Sequence, residues 1–350
     1  MESNLAKITQ IIGPLGFSLD QYQPHLSGER WLMMRDKLVL IGYQNETKEK
    51  VVIKVSDKIS GKKEIVREKK VRDIMNSLVF SDDSILFPAE IYFGLSNNHL
   101  VWVAKFIPQE KIFVQHSLEE QFFTALRAFE TQEAFHASTY RHLREIGDTF
   151  PILTAQNYLD NFQKFSAGSA LTKTFHYLAD HRTIIDRYAN HLIHTDFVPH
   201  NFRISGNQIY MLDSSSFCFG NKYESWARFL NYMLIHNPKL ENLLLNYIKQ
   251  NRSPEEYLAL RLMRIYKTGY LLNYYAETLN KTTGDLHILT QRRLDFWHQV
   301  LGALIDDRPL SSEVLERYLV ERDQLRSIEE KERQREFAVA IHKHGDDGSV

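Results

Sequence analysis

The sequence predicts an α+β protein of two lobes, a small mixed-sheet lobe first and a larger, mainly helical lobe after it. Three observations carry this. The first third holds a β-branched run, Val51-Val52-Ile53-Lys54-Val55, and a strand pair, Ile85 to Leu95 and His99 to Phe106. From Ser117 onward the apolar residues recur at helical spacing. The chain has 350 residues, enough for two separate cores.

Each element has a local reason. MESNLAKITQIIGPLG reads as a helix that stops near Gly13-Pro14, too polar for a secretory leader. After the Val51–Val55 strand, the stretch from Lys62 to Leu78 carries Ile65, Val71, Ile74, Met75 and Leu78 among charges, an amphipathic helix. Its Glu68 falls three residues before Val71 and seven before Met75, on their face, and Glu64 lies one turn earlier. The strand from His99 ends at Ile107-Pro108. A helix is expected from Ser117 to Ile146, a break at Pro151, then a helical segment with Tyr158, Leu159 and Phe162. A further helix is expected over Tyr223 to Ile235, and more from Leu240 to Phe337, the last a charged one from Glu313 to Arg335. The partition is 1–106 as the strand-rich lobe, 107–337 as the helical lobe and 338–350 as a frayed tail.

Composition excludes several classes. Hydrophobic residues make up 43%, so most of the chain is not disordered. Lys plus Arg number 43 against 44 for Asp plus Glu, which leaves no global basic field for nucleic acid. Charges interrupt every apolar window before the roughly 20 residues of a membrane span, so no membrane partner is expected. The one cysteine, Cys218, excludes an internal disulfide and a thiolate zinc cluster, and suits a reducing, cytoplasmic setting. His176, His181, His191, His194 and His200 have no i, i+4 pairing that would make a zinc site on one helix.

The most informative stretch is LIHTDFVPHNFRISGNQIYMLD, from Leu192 to Asp213. Leu192-Ile193 reads as a short strand delivering His194, Thr195 and Asp196 into a loop, which Pro199 restrains before Asn201. Phe202–Ile204 and Gln208–Leu212 flank a Ser205-Gly206-Asn207 turn, an antiparallel hairpin that brings the Asp196–Asn201 loop toward Asp213. On residue types alone this is also a turn-rich loop beside a solvated strand end. Taken together, two hard oxygen ligands, Asn201 and Asp213, and a carboxylate able to take a proton, Asp196, make a constellation for Mg²⁺ and phosphoryl transfer.

The segment resembles the catalytic loop of the aminoglycoside phosphotransferase and choline kinase group of protein-kinase-like enzymes, commonly HGDLHPGN where this chain has HTDFVPHN. His194, Asp196, Pro199 and Asn201 coincide; Thr195, Phe197, Val198 and His200 depart. The resemblance implies a two-lobed protein-kinase-like fold, ATP and Mg²⁺ as cofactors, and a small-molecule hydroxyl as acceptor. It implies Asp196 as catalytic base and Asn201 and Asp213 as metal ligands. It implies Lys54 as phosphate clamp, braced by Glu68 with Glu64 in reserve, and Ala104, Lys105, Phe106 and Ile107 as the connection that meets the adenine ring. His194 would anchor the loop through a backbone hydrogen bond.

Departures from the group's pattern are local. No GxGxxG is present: Gly28 and Gly42 stand far apart, and Met33 to Lys37 is the candidate cover for the phosphates. Where the group often has Asp-Leu-Ala, the chain has Glu224-Ser225-Trp226-Ala227, with Glu224 the candidate substitute brace. Tyr266, Tyr270, Tyr274, Tyr275, Trp297 and His298 are either helix core or the acceptor pocket wall. The alternatives to a small-molecule phosphotransferase are a nucleotide-binding pseudokinase without transfer activity and a protein kinase, the latter without a visible activation segment after Asp213.

Overall fold

The computed structural model describes residues 2–21, 23, 36–77, 85–109, 111–139, 150–165, 169–206, 208–328 and 331. In chain order the elements begin with α1 (Glu2–Ile12), β1 (Phe17–Leu19), β2 (Leu38–Gln44), β3 (Lys50–Ser56), α2 (Ile59–Ser77), β4 (Ile85–Leu86), β5 (Glu90–Ser96) and β6 (His99–Lys105). There follow α3 (Leu118–Thr139), α4 (Ala155–Gln163), α5 (Ser169–Asp180), α6 (Arg182–Arg187), β7 (His191–His194), β8 (Phe202–Ser205), β9 (Gln208–Met211) and β10 (Phe217–Gly220). Five helices close the described chain: α7 (Glu224–His236), α8 (Pro238–Asn251), α9 (Pro254–Leu279), α10 (Gly284–Ile305) and α11 (Ser312–Leu325). The chain forms two compact units, Met1–Glu110 with His200–Ser216, and Lys111–Pro199 with Phe217–Val350.

The first unit is built on a five-stranded antiparallel sheet in the order β1-β2-β3-β6-β5. Strict alternation sorts its residues. Leu40, Val51, Ile53, Val55, Val101 and Val103 point one way and pack under Ile8, Ile11 and Ile12 of α1 and Phe17. Each such fully buried aliphatic side chain contributes roughly 1.5–3 kcal/mol. The opposite face carries Val39, Val52, Lys54, Trp102 and Ala104, in register as Val39↔Lys54, Lys54↔Trp102 and Val52↔Ala104. Gly42 serves the sheet: a Cβ there would stand 2.3 Å from the Ser18 carbonyl oxygen of β1. Asn97 and Asn98, both at positive φ (46° and 62°), turn β5 into β6.

Helix α2 buries Gly61, Ile65, Glu68, Val71, Arg72 and Met75, a stripe at steps of three and four that contains the one glutamate the periodicity singled out. The single strand expected from Ile85 to Leu95 is two. Pro88 supplies no N–H to a ladder, and β4 leaves the sheet to run parallel to β9 (Ile85↔Ile209, Leu86↔Tyr210), while β5 stays beside β6. The β8–β9 hairpin forms as read, Phe202↔Met211 through Ser205↔Gln208, with Gly206 at φ +57° in its turn. The β4–β9 pairing ties this hairpin to the first unit, a discontinuity that a linear partition at residue 106 does not contain.

The second unit is mainly helical. Strand β7 pairs antiparallel with β10 as a separate ribbon, His194↔Phe217 to His191↔Gly220. Phe197, and Phe229 and Trp226 of α7, meet around Phe129 of α3, on which the Trp226 ring stacks at 3.8 Å. Helix α4 starts where Thr154 caps it and Pro151 has broken the chain. Helix α9 begins with Ser253, Pro254 and Glu256 in a capping box. Tyr266 and Trp297 are core residues, whereas Tyr270 and His298 are exposed. Helix α3 is described to Thr139 and α11 to Leu325, so the expected extension to Ile146 and the tail from 338 lie outside the described residues, as do Gly28 and residues 33–35. Among the described residues no helix is long and apolar enough to cross a membrane.

Candidate active site

A cavity of about 300 Å³ lies on the sheet face opposite α1, lined entirely by the first unit. The register explains its walls: Val39, Val52, Lys54, Trp102 and Ala104 share that face, and Lys37 continues the same alternation two residues before Val39. Lys54 is buried, and its Nζ donates to Oε1 of Glu68 and, at 3.2 Å, to the carbonyl of Leu212. It also stands 4.9 Å from the centre of the Trp102 ring. Glu68 is fully buried. Burial pushes its carboxyl above the usual range, Lys54 pulls against this, and the Asp213 charge adds to the rise.

Two residue pairs fix the far side. The N–H of Leu212 donates to the carbonyl of Asn201 at 2.9 Å, and Asn201 and Asp213 both line the cavity. The Ser214 hydroxyl donates to the backbone carbonyl of Glu68 at 2.9 Å, so the turn after Asp213 is pinned to α2. Both Asp213 oxygens accept serine hydroxyls, Ser215 at 2.6 Å and Ser216 at 3.2 Å. An amide oxygen and an oriented carboxylate are hard donors of the kind Mg²⁺ takes, with phosphate oxygens and water completing its shell. These residues therefore fit that ion. Among the described residues no three His, Cys, Asp or Glu side chains gather as a protein-only metal cluster.

Asp196 belongs to the second unit. Its Oδ1 accepts from Arg228 Nε of α7 at 2.7 Å, a contact between two partly exposed side chains. The loop that carries it is fastened at its start. The Ser225 hydroxyl accepts from the His194 N–H and donates to the His194 carbonyl, each at 3.0 Å, while the buried His194 ring meets Phe217 edge-on at 5.0 Å.

The expectation that Glu224 braces this loop is not met by its contacts. Glu224 is buried between Lys267 and the Tyr158 hydroxyl, which donates to it at 2.5 Å, and the brace on the His194 backbone is Ser225, one residue along. Only a helix placed against β7 reveals which of two adjacent residues faces it.

All four residues of the expected adenine connection, Ala104 to Ile107, line the cavity. Their backbone groups are not equally available. The N–H of Lys105 donates to Ala89 and that of Phe106 to Lys50, so neither can serve a purine base. The Phe106 ring lies under Lys50 and Arg203, 5.1 and 5.6 Å from its centre, and Arg203 is held by Gln109 at 2.7 Å.

Lys37 ends the stretch Met33 to Lys37 that is the candidate cover for the phosphates through backbone N–H groups, and its side chain reaches the cavity as well. Its Nζ lies 2.6 Å from Glu64 Oε1 and 3.6 Å from Glu68 Oε2, in a nearly buried position. The signal available was the alternation Lys37-x-Val39, which mirrors Val52-x-Lys54 on the neighbouring strand.

Neither a protein-family profile nor a curated protein matches the sequence. Solved structures do match. A choline/ethanolamine kinase family protein from Mesorhizobium loti superposes with a TM-score of 0.58 at 13% identity, covering 92% of this chain and 99% of its own. A thermostable mutant of aminoglycoside phosphotransferase APH(4)-Ia gives 0.55 at 14% identity, covering 83% and 97%. A macrolide 2'-phosphotransferase type I gives 0.54 at 13% identity, covering 84% and 97%. APH(4)-Ia variants are known in ternary complexes with hygromycin B and either ADP or AMP-PNP. The chain thus has the two-lobed protein-kinase-like fold, with a small mixed-sheet lobe and a mainly helical lobe, found in these phosphotransferases.

Proposed function

We propose that the protein is an ATP- and Mg²⁺-dependent phosphotransferase that phosphorylates a hydroxyl group of a small molecule. The observation that carries this reading is the convergence on one cavity of the Glu68-bound Lys54 with Asn201 and Asp213, residues brought together from positions up to 159 apart in the chain. The fold supports it, since the similar structures include phosphotransferases whose complexes hold ADP or AMP-PNP.

The roles follow from the chemistry of each group. Lys54, fixed by Glu68 and the Leu212 carbonyl, presents a fixed positive charge to phosphate oxygens. Asn201 and Asp213 would hold Mg²⁺, which when bound neutralises charge on the phosphates. Ser215 and Ser216 keep the Asp213 carboxylate in one orientation. Ala104 and Val52 offer an apolar wall to the base. Asp196 orients the acceptor hydroxyl and takes its proton as the oxygen–phosphorus bond forms. A small-molecule acceptor is supported by the names of the similar proteins, macrolide and aminoglycoside phosphotransferases and a choline/ethanolamine kinase family protein, and no single acceptor is favoured.

One contact favours a second reading, a nucleotide-binding protein without transfer activity: Arg228 occupies a carboxylate oxygen of Asp196, where an acceptor hydroxyl must also approach. A screen of hydroxyl-bearing small molecules with γ-labelled ATP and Mg²⁺ separates the two. Transfer that is lost in Asp196→Asn supports the phosphotransferase. Mg-ATP binding, read as a raised melting temperature, with neither transfer nor hydrolysis supports the second reading. No thermal response to Mg-ATP removes both.

A further inference from the structure

Lys37 has the physical surroundings of a ligand-binding cation. Its side chain is only 10% exposed, yet it lines the same cavity as Lys54 and Asp213. A lysine held that far from water is stable only beside anions. Glu64 and Glu68 provide them, one helical turn apart on α2, at 2.6 and 3.6 Å. Burial alone drives the ammonium toward neutrality, but the charges of Glu68, Asp213 and Glu64 outweigh it and raise its pKa, so it stays protonated.

The two lysines are arranged alike. Lys54 meets Glu68, and Lys37 meets Glu64 with a longer reach to Glu68, so α2 carries two glutamates for two lysines, one on β3 and one immediately before β2. Glu64 is 37% exposed in its side chain, against 1% for Glu68, so water screens the Lys37–Glu64 pair more and leaves more of that ammonium's field for a ligand. The cavity walls carry Lys37, Lys54, Lys105 and Arg203 against Glu64 and Asp213, a surplus of positive charge suited to a polyanion. The sequence supplies the need. A phosphate cradle made of backbone N–H groups uses closely spaced glycines, and between β1 and β2, residues 20–37, there is one glycine, Gly28.

We propose that Lys37 is a second phosphate-binding lysine, which supplies by side-chain charge what a glycine-rich turn supplies by backbone N–H groups, and that with Lys54 it clamps the terminal phosphates of a nucleoside triphosphate. This rests on the phosphotransferase reading and assigns a further residue within its site. Because the contact is to phosphate, its strength must grow with the number of phosphates on the ligand. A structural role for the lysine would not produce that dependence.

The test is calorimetric titration of wild type, Lys37→Met, Lys37→Gln and Lys37→Arg with ATP, ADP and AMP in the presence of Mg²⁺, beside the melting temperature of each unliganded protein. The expected result is a Kd for ATP weakened about tenfold or more in the methionine and glutamine variants, a smaller loss for ADP, no change for AMP, and recovery of most of the ATP affinity in Lys37→Arg. Lys37→Gln retains a donor for Glu64 and loses only charge, so it keeps the measurement decisive if Lys37→Met folds poorly. Equal ATP affinity in wild type and Lys37→Gln overturns the proposal, as does a uniform loss across all three nucleotides. A wild-type protein that binds ATP normally while the variants do the same removes Lys37 alone; a wild type that binds no nucleotide removes the phosphotransferase reading and this inference with it.

Discussion

Leu212 donates its backbone N–H to the carbonyl of Asn201 at 2.9 Å, and that bond clamps the two ends of the β8–β9 hairpin, so that Asn201 and Asp213, the residue after Leu212, line one cavity. Because the clamp is made by backbone, either side chain can be removed without opening the hairpin. Asn201→Ala is therefore expected to leave the fold intact while raising the Mg²⁺ concentration for half-maximal turnover and lowering kcat about 10²-fold or more. A magnesium titration of phosphate transfer checks this; an unchanged magnesium dependence would remove Asn201 from the ligand set.

Lys54 and Glu68 form a buried ion pair, so removing one partner is costly in a way that removing both is not. Among the described residues, Lys54→Met leaves the Glu68 carboxylate with Lys37 at 3.6 Å as its one cationic partner, and is expected to cost about 3 kcal/mol of stability, the low end for breaking a buried pair. The double variant Lys54→Met/Glu68→Leu should regain most of that loss while staying inactive. Urea unfolding of both variants gives the comparison, and a double variant no more stable than the single one would contradict it.

Ser225 holds the His194 N–H and C=O at once, and all three groups are buried. Ser225→Ala removes both of these buried hydrogen bonds, which costs about 1–3 kcal/mol. Since His194 leads into the loop carrying Asp196, kcat should fall several-fold while the Kd for ATP, set by the first unit, stays as in wild type. Chemical unfolding together with a kcat and Kd measurement tests the split. Equal changes in both constants would count against a positioning role.

His136 of α3 stacks on His191 of β7 at 4.2 Å between ring centres. Burial first, then the neighbouring His191 and Lys222, push the His136 imidazole down to about 4. The unfolded chain, with an ordinary histidine near 6.5, binds a proton before the folded one does, so the stability from the neutral ring is complete above pH 6.5 and is lost as pH falls toward 4. His136→Phe, which keeps an aromatic ring and cannot titrate, is expected to flatten that part of the profile. Unfolding free energies at pH 7, 6 and 5 for both proteins are the measurement, and parallel profiles would sink the assignment.

A second pH effect has the same sense and a different window. Glu90 accepts from Arg72 at 2.5 Å and from the Trp102 indole at 2.9 Å. Burial raises its carboxyl, but the bonds from Arg72 and Trp102 outweigh it and hold the pKa below 4.5. Its contribution is therefore present above pH 4.5 and lost as pH falls through the lowered value. Glu90→Gln should remove this acid-side decline below pH 4.5 without touching the His136 window above it, as read by unfolding at pH 5, 4 and 3.5.

Much of the site could be read before the structure because it rests on short-range patterns. Alternation of apolar residues made Val51–Val55 a strand with Lys54 inside it, the 3.6-residue period put Glu68 with Val71 and Met75, and the Gly206 turn made the β8–β9 hairpin. Errors arose where pattern and neighbour disagree. Pro88 split one expected strand into β4 and β5, and β4 found its partner in β9, more than a hundred residues later. Glu224 and Ser225 are adjacent polar residues, and nothing local says which of them turns to β7.

By itself the sequence determined which residues share a face: the strand period, the helix stripe, and the loop and hairpin that carry Asp196, Asn201 and Asp213. Tertiary structure alone decided what stands opposite those faces. Lys54 reaches the carbonyl of Leu212 across 158 positions, Lys37 pairs with Glu64 rather than with solvent, and His200–Ser216 joins the first unit although it follows the whole of the second unit's first segment. The physical reason is that a local period specifies the direction of a side chain from its own backbone, whereas its partner is set by strand register and helix packing, which depend on the chain as a whole.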